Sequence, residues 1–348
     1  MEQYRTHGKI LRGLGGLYDI RLISREYHAT LRGEKEGEDL SETSPLGGKV
    51  VSCRARGVFR YHKEKPLIGD EVCVSYTDAS FTSSGEDVIP DANGTGVVVS
   101  SILPRRSALI RPPMANLDML FVTMACASPE PIPQMADKLL CIAEYHHIAP
   151  VVLLTKCELD PSRAEELRGI YEKSGFPVFL LSERGAEGAD AVQAYLREHL
   201  LRGQTAAFAG ASGVGKSTLL NALFPELQLE TSAVSEKTER GRHTTRCVTL
   251  YPVSSDADCP YLADTPGFSA LDFEQFDFFG KEDLPHTMRE FAPYLGQCRY
   301  TNCSHTKERA ADCAVVRAVE AGEIPRSRHE SFLALYEVLK NKNSWDKK

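Results

Sequence analysis

A phosphate-loop pattern is the feature that most constrains the fold of this chain. The pattern G-x-x-x-x-G-K-[ST] is matched in full by Gly210, Ala211, Ser212, Gly213, Val214, Gly215, Lys216 and Ser217. The apolar segment 205–209 before it is typical of a short buried strand, and residues 218–224 place apolar side chains at helical spacing. Strand, loop and helix in this order predict a nucleoside triphosphate site in an α/β domain.

Each part of this loop has a chemical task. The glycines allow backbone N–H groups to surround the phosphates, and the N-terminus of the helix, at Thr218, favours negative charge. Lys216 is expected to reach the outer phosphates and to act in catalysis, and the Ser217 hydroxyl is expected to bind Mg²⁺.

Two short motifs downstream indicate the switch elements of a nucleotide hydrolase. Asp264 follows the apolar segment 261–263 and begins the sequence Asp-Thr-Pro-Gly, which ends at Gly267. We expect the Asp264 carboxylate to hold Mg²⁺ through water and the Gly267 N–H to sense the γ-phosphate. Residues 241–245, Gly-Arg-His-Thr-Thr, lie in a polar segment suited to a mobile loop, where Thr245 or the threonine before it can complete the magnesium shell.

A candidate base-reading motif lies upstream of the phosphate loop. The apolar run 150–154 is followed by Thr155, Lys156, a cysteine and Glu158, which resemble the guanine-reading motif [NT]-K-x-D. Guanine presents two adjacent donors, N1–H and the N2 amine, so a carboxylate can accept both hydrogen bonds, whereas adenine offers no such pair. The stem of Lys156 can cover one face of the ring. Ser182, after a second apolar run, marks the loop expected to contact guanine O6.

The motifs therefore run in the order base reader, second base loop, phosphate loop, switch I and switch II, whereas the base reader follows the switches in an ordinary GTPase. With this order, the chain resembles the circularly permuted GTPases of the RsgA/YjeQ type, ribosome small-subunit-dependent GTPase A, over nearly its whole length. Segments 13–18, 53–60, 67–72 and 102–113 look like that family's N-terminal OB-fold and its exit into the GTPase domain.

The resemblance implies a multidomain protein with three parts. Residues 1–111 are expected to form an OB-fold β-barrel that binds RNA, and residues 112–272 a circularly permuted P-loop α/β GTPase domain. Residues 273–348 are expected to form a C-terminal zinc-binding helical segment.

Three cysteines and a histidine in the last part form a candidate metal site. Zinc binds four ligands in a tetrahedron, and Cys298, Cys303, His305 and Cys313 supply Cys₃His within one short span. With no open position, this is expected to be a structural Zn²⁺ site with one ion per chain. The chain departs from the family in having seven residues between His305 and Cys313, where five are usual, and in having Glu158 where aspartate is usual.

The N-terminal region has the short alternating strands and turn-rich breaks of a small barrel. One stretch mixes basic and aromatic side chains, which suits an RNA-binding face, although a solvated strand edge is the alternative. Its members are Arg54, Arg56, Phe59, Arg60, Tyr61, His62, Lys63 and Lys65.

Composition favours a cytoplasmic protein. No run of 18 apolar residues and no signal segment is found, so neither a membrane span nor secretion is indicated. Seven of the ten cysteines are scattered singly and are interpreted as small buried hydrophobes in a reducing compartment. The net charge of −7 predicts that any basic RNA-binding footprint is local.

The resemblance implies that the chain hydrolyses GTP to GDP when the small ribosomal subunit and its rRNA stimulate it, acts in late small-subunit maturation and is released under control of the GTP state. A monomer is expected. His243 matches the family's Gly-x-His-Thr-Thr and is expected to orient water, because Phe268 stands where an ordinary GTPase has glutamine. A plain loop histidine is the alternative for His243, and a slow or inactive nucleotide-sensing RNA-binding module is the alternative for the whole protein.

Overall fold

A computed structural model describes residues 3–23, 47–55, 59, 65–77, 97–109, 112–182, 188–224, 248–256, 258–264 and 280–341. Its strands are β1 Gln3–Leu14, β2 Leu17–Leu22, β3 Val50–Ala55, β4 Glu71–Thr77, β5 Val98–Ile102, β6 Ala108–Leu109, β7 Met114–Ala115, β8 Met119–Ala125, β9 Ala149–Thr155, β10 Val178–Leu180, β11 Thr205–Ala209, β12 Thr249–Pro252 and β13 Tyr261–Asp264. Its α-helices are α1 Pro133–Tyr145, α2 Pro161–Lys173, α3 Ala189–His199, α4 Lys216–Leu223, α5 Ala314–Glu320 and α6 Arg326–Lys340.

The first five strands form a closed barrel in the order β1-β2-β3-β5-β4, which confirms the predicted barrel. Strands β1 and β2 pair as an antiparallel hairpin in which Leu14 lies opposite Leu17. The two loop residues, Gly15 and Gly16, have φ values of +60° and +85°. A two-residue hairpin loop with positive φ at both positions matches the right-handed twist of the strands, and glycine adopts it without strain.

A lysine is buried at the edge of this barrel. Lys9 is 1% exposed, and its ammonium donates hydrogen bonds to the Gly203 carbonyl at 2.5 Å and the Thr205 hydroxyl at 3.2 Å. Glu71 lies 3.9 Å away and supplies the opposite charge. Burial lowers the pKa of Lys9, an effect that Glu71 opposes. These contacts tie β1 of the barrel to the start of β11.

The central sheet has six strands in the order β10-β9-β8-β11-β13-β12. Strands β8, β9 and β10 are mutually parallel, β11 is parallel to β13, and β12 runs antiparallel to β13. All seven residues of β8 are buried, which is typical of a parallel strand covered on both faces. Strands that precede β11 in the chain thus form one side of the sheet, and strands that follow it form the other, which is the predicted permuted α/β arrangement.

The helices around this sheet begin where their sequences indicate. Helices α1 and α2 both have proline in the first turn, where the missing N–H costs nothing. Asp160 caps α2 by accepting a 2.9 Å hydrogen bond from the Arg163 N–H.

The C-terminal segment contains two 3₁₀ turns, Leu284–Thr287 and Arg289–Tyr294, followed by α5 and α6. Arg328 of α6 is fully buried and pairs with Asp137 at 2.5 Å and Glu290 at 2.7 Å. Two carboxylates around one guanidinium satisfy a charge that would otherwise be costly to bury. This arrangement holds α6 against α1.

The residues group into two compact units. One contains Met1–Asp118, Leu196–Ala207 and Gly241–Gly267, and the other contains Met119–Tyr195, Phe208–Arg240 and Phe268–Lys348. The three predicted domains, 1–111, 112–272 and 273–348, stay a prediction. Within the described ranges, no helix has the combination of length and apolar character needed to cross a membrane.

Candidate nucleotide and metal sites

The phosphate loop joins the end of β11 to the start of α4, as predicted. Gly210 has a φ of +150°, and a Cβ there would lie 2.1 Å from the Thr123 carbonyl oxygen. Only glycine fits this close approach between the loop and β8. Gly213 and Gly215 have φ values of +77° and +96°, which other residues adopt only with strain. These three glycines shape a loop whose backbone can curve around phosphates.

Lys216 lies over this loop at the first position of α4. Its ammonium donates hydrogen bonds to the carbonyl oxygens of Gly210 at 2.8 Å and Ala211 at 2.7 Å. The positive charge is therefore held above the loop, where the outer phosphates of a nucleotide would bind. Ser217 is half-buried, and Thr218 is exposed on the same helical turn. All the residues predicted for the phosphate loop are thus brought together.

The base-reading motif adjoins the phosphate loop through a direct contact. Thr155, the last residue of β9, donates a 2.6 Å hydrogen bond from its hydroxyl to the Val214 carbonyl oxygen. Lys156 follows with a φ of +57°, and its ammonium donates to the Ser128 carbonyl at 2.6 Å. Glu158 is half-buried two residues later, with its Oε2 atom shielded from solvent.

An open cleft of about 450 Å³ lies between the base loops and the phosphate loop. Its lining consists of Thr155, Lys156, Leu181, Ser182, Ala189, Val214, Gly215, Thr218, Leu219 and Ala222. Six of these residues belong to the predicted nucleotide site. Glu158 is not in the lining, and its contact with guanine stays a prediction.

Sequence reasoning missed the apolar wall of the cleft. Leu181, Ala189, Leu219 and Ala222 supply this wall, and none was singled out as a site residue. The sequence contained a signal for this wall. Leu219 and Ala222 are three residues apart on α4, so they lie on one face of the helix, next to Thr218. The flat ring face of a nucleotide base packs against such a surface.

Among the predicted switch residues, Asp264 lies within the described part of the chain. Asp264 is the last residue of β13, at the carboxyl end of a strand, as predicted. His243, Thr245 and Gly267 lie outside the described residues. The magnesium roles of Asp264, Thr245 and Ser217 stay predictions.

The predicted metal ligands form one cluster. The ligand atoms of Cys298, Cys303, His305 and Cys313 all lie within 4.8 Å of one another. The Sγ atoms of Cys298 and Cys313 are 3.8 Å apart, and His305 Nδ1 lies 3.6 Å from the first and 3.4 Å from the second. A zinc tetrahedron with bonds of about 2.3 Å to sulfur has edges of about 3.8 Å, so this donor set fits Zn²⁺.

The chemistry of the cluster also fits a cation. Burial lowers the pKa of His305, which favours the neutral imidazole that binds metal. Burial raises the pKa of the Cys303 thiol to about 12, so the thiolate needs a cation to be stable at neutral pH. Backbone N–H groups of Ala314 and Val316 donate to the sulfur atoms of Cys298 and Cys313, each at 3.4 Å. Such donors stabilise thiolate ligands.

The long spacing between His305 and Cys313 is organised by two carboxylates. Glu308 accepts hydrogen bonds from the backbone N–H groups of Ser304, Thr306 and Lys307 at 2.8 to 3.1 Å. Asp312 pairs with Arg299 and Arg309, each at 3.0 Å. The two extra residues therefore lie in an ordered loop and leave the four ligands close together.

The predicted RNA-binding stretch is described only in part. Arg54 and Lys65 are exposed, which suits contact with phosphates. Phe59 is 7% exposed, so its inclusion in an RNA-binding face is wrong: its side chain is buried. Arg56, Arg60, Tyr61, His62 and Lys63 lie outside the described residues.

The sheet order, the phosphate loop and the adjoining cleft define a circularly permuted phosphate-loop nucleotide hydrolase that also carries a barrel and a Cys₃His cluster. Family models agree, since "RsgA GTPase" matches residues 102–274 and "RsgA N-terminal domain" matches residues 45–81. The small ribosomal subunit biogenesis GTPase RsgA of Agathobacter rectalis is 38% identical over 97% of this chain and 99% of its own length. The protein of the same name from Alkaliphilus metalliredigens is 35% identical over 97% and 99%. The chain belongs to the RsgA GTPase family, and it hydrolyses GTP.

Solved structures show the same fold. YjeQ from Thermotoga maritima superposes with a TM-score of 0.70 at 26% identity, covering 97% of this chain and 100% of that one. YloQ, described as a circularly permuted GTPase, superposes with a TM-score of 0.67 at 28% identity, covering 98% and 96%. Membership of a GTPase family implies that Mg²⁺ accompanies GTP.

Proposed function

We propose that this GTPase acts in late assembly of the small ribosomal subunit, that the subunit stimulates GTP hydrolysis, and that release is controlled by the GTP state. The observation that carries the proposal is the cleft of about 450 Å³ that joins the base loops to the phosphate loop, in a chain similar over nearly its whole length to small-subunit biogenesis GTPases. GTP and GDP are the ligands that this cleft would take.

The base is bound between the two loops that line the cleft. Lys156 covers one face of the guanine ring with its stem, and the Glu158 carboxylate accepts hydrogen bonds from N1–H and N2. Ser182 marks the loop whose backbone contacts O6. Leu219 and Ala222 supply the apolar surface against which the ring packs.

The phosphates are bound by the loop from Gly210 to Lys216, with the α4 N-terminus at Thr218 favouring their charge. Lys216 moves its hydrogen bonds from the loop carbonyls to the outer phosphate oxygens and neutralises the charge that develops during transfer. Ser217, Thr245 and Asp264 would hold Mg²⁺, directly or through water. Mg²⁺ held by these residues would supply positive charge that stabilises the outer phosphates during transfer. Gly267 senses the γ-phosphate through its N–H.

Phe268 stands where an ordinary GTPase has glutamine, and it can neither donate nor accept a hydrogen bond. His243 therefore orients the attacking water. The small subunit brings His243 toward the γ-phosphate, and intrinsic turnover without the subunit is low.

The barrel serves docking, and the Cys₃His cluster stabilises the C-terminal segment. Exposed Arg54 and Lys65 of the barrel contact rRNA phosphates, in a protein that works as a monomer in the cytoplasm. Cys298, Cys303, His305 and Cys313 would hold one Zn²⁺, which would stabilise the fold of the C-terminal segment.

GTP turnover with and without purified small subunits tests the proposal. We expect strong stimulation of the wild-type chain, no turnover by Lys216→Ala, and loss of most of the stimulated rate by His243→Ala with GTP affinity unchanged. Retained stimulation in His243→Ala would move the catalytic role to another side chain or to the ribosome.

A second candidate function is a slow nucleotide-sensing module that works on RNA, and the observation that favours it is Glu158 in place of the family's aspartate. Under this alternative, wild-type and Lys216→Ala chains would show the same slow turnover in the presence of subunits. The two functions therefore predict different rates in one assay.

A further inference from the structure

Two thiols lie in contact at the carboxyl ends of β8 and β9, beside the proposed guanine loop. The Sγ atoms of Cys126 and Cys157 are 3.8 Å apart. The backbone pairing of the two strands continues to this point, since the Cys126 N–H donates to the Thr155 carbonyl at 2.9 Å. A bond requires the sulfur atoms to approach by about 1.8 Å.

The two thiols differ in ways that divide the chemistry between them. Cys126 is 2% exposed, whereas Cys157 is only half-buried and can be reached by a small oxidant. The hydrogen bond between the thiols lowers the pKa of Cys157 and raises that of Cys126. Because the thiolate is the reactive form, Cys157 reacts first and Cys126 resolves the product.

We propose that Cys126 and Cys157 are a modification site, which peroxide converts to a reversible disulfide that lowers the affinity of the cleft for guanine nucleotides. The Cys157 thiolate attacks one peroxide oxygen, the S–O bond forms, the O–O bond breaks, and the departing hydroxide takes a proton to become water. Cys126 then attacks the sulfenic sulfur, the S–S bond forms, and hydroxide leaves with the Cys126 proton as a second water. A dithiol reductant reverses the change and is itself oxidised to a disulfide.

The position of Cys157 connects this bond to nucleotide binding. Cys157 lies between Lys156 and Glu158, so this consequence rests on the proposed role of these two residues in reading guanine. The Cys157 N–H donates to the Leu181 carbonyl at 3.2 Å, and Leu181 lines the cleft. Drawing Cys157 toward β8 therefore displaces the turn that carries Lys156 and loosens its connection to the second base loop.

Several other described thiols are less suited to this reaction. Cys53 and Cys141 are fully buried, and burial raises the pKa of each to about 12. Cys259 is 3% exposed. The cysteines of the Cys₃His cluster belong to the proposed zinc site. Peroxide is expected to select the Cys126 and Cys157 pair because the two thiols are in contact and Cys157 is partly exposed.

The test treats the zinc-loaded full chain with hydrogen peroxide, quenches it and maps disulfides by peptide mass. Fluorescent GDP is titrated before oxidation, after oxidation and after dithiothreitol. We expect a Cys126 to Cys157 cross-link, a fall in affinity of about tenfold, and recovery on reduction. Cys126→Ser should lack the cross-link and keep its affinity after peroxide, whereas oxidation at the zinc cluster would affect both chains equally.

Three results would overturn the proposal: no cross-link between these cysteines, a cross-link with unchanged GDP affinity, or the same loss of affinity in Cys126→Ser. Cys157→Ser, compared before and after peroxide, serves as a second variant if Cys126→Ser does not fold. A separate measurement without peroxide tests the guanine-reading role itself. If reduced Glu158→Ala prefers GDP over ADP as strongly as the wild type does, Glu158 does not read guanine.

Discussion

Thr155 Oγ1 donates a 2.6 Å hydrogen bond to the carbonyl oxygen of Val214, and this bond joins the end of β9 to the phosphate loop. The two residues are 59 positions apart in the chain. The threonine of the base-reading motif therefore supports the phosphate loop, in addition to lining the cleft.

Thr155→Val keeps the side-chain shape and removes this hydrogen bond. Because the Val214 carbonyl loses its partner, we expect a loss of about 1–2 kcal/mol in GDP binding and a smaller loss in stability. Isothermal titration with GDP measures the change. Thr287→Val is the matched control, since Thr287 donates a similar 2.8 Å bond to Leu284 in the C-terminal segment. Equal affinity losses in both variants would show that the Thr155 effect is not local.

Gly210→Ala places a Cβ 2.1 Å from the Thr123 carbonyl oxygen. This backbone atom cannot move without disturbing β8, so we expect loss of GTP binding and a lower melting temperature. Gly169→Ala is the control, because Gly169 is exposed on α2 with nothing within 4 Å of its added Cβ. A Gly210→Ala chain that binds GTP normally would contradict the close approach.

Glu158→Asp shortens the proposed guanine acceptor by one methylene. The longer glutamate side chain must retract to make both hydrogen bonds, so we expect the wild type to bind GTP about 1–2 kcal/mol less tightly than Glu158→Asp. GTP should still be preferred over ATP by both. Competition against labelled GDP measures these affinities, and displacement by ATP as effective as by GTP would refute guanine reading at this position.

Cys303→Ser removes one ligand of the proposed zinc site. We expect the zinc content to fall below about one ion per chain and the melting temperature to drop, while GDP affinity stays close to wild type. Metal analysis measures the zinc content. Cys73→Ser, at a half-buried barrel cysteine, should retain its zinc. Full zinc content in Cys303→Ser would disprove the ligand set.

Glu308→Gln tests the carboxylate that organises the loop between His305 and Cys313. Burial would raise the pKa of Glu308, but backbone N–H donors and the Ser304 hydroxyl together lower this pKa to about 2, against about 4.3 in an unfolded chain. A lowered folded pKa gives stability that is complete above the unfolded pKa and lost as the pH falls toward the folded one.

We therefore expect Glu308→Gln to be less stable by about 1 kcal/mol at pH 8 and at pH 6, with a smaller difference at pH 4. Urea midpoints of the zinc-loaded chain at these pH values measure it. Glu165→Gln, in an exposed pair with Arg168, should match the wild type throughout. A difference that changes between pH 8 and pH 6 would assign the effect to another group.

The sequence by itself determined the local chemistry of this protein. Contiguous motifs carry their own geometry, because the glycines from Gly210 to Gly215 shape a loop wherever a strand and a helix flank it. The permuted order of the motifs identified the fold, and cysteine spacing identified the four proposed zinc ligands. The barrel was predicted from alternating strands and resemblance, although the burial of Phe59 was not.

Only the tertiary structure decided which distant residues meet. The pairing of Cys126 with Cys157 depends on the register of β8 and β9, and no local pattern contains it. Lys9 and Arg328 are charged, and charged residues usually lie at the surface. Both are buried here, because partners far along the chain satisfy their charges. Burial and side-chain contact are set by packing between elements, so such long-range contacts could not be read from sequence periodicity.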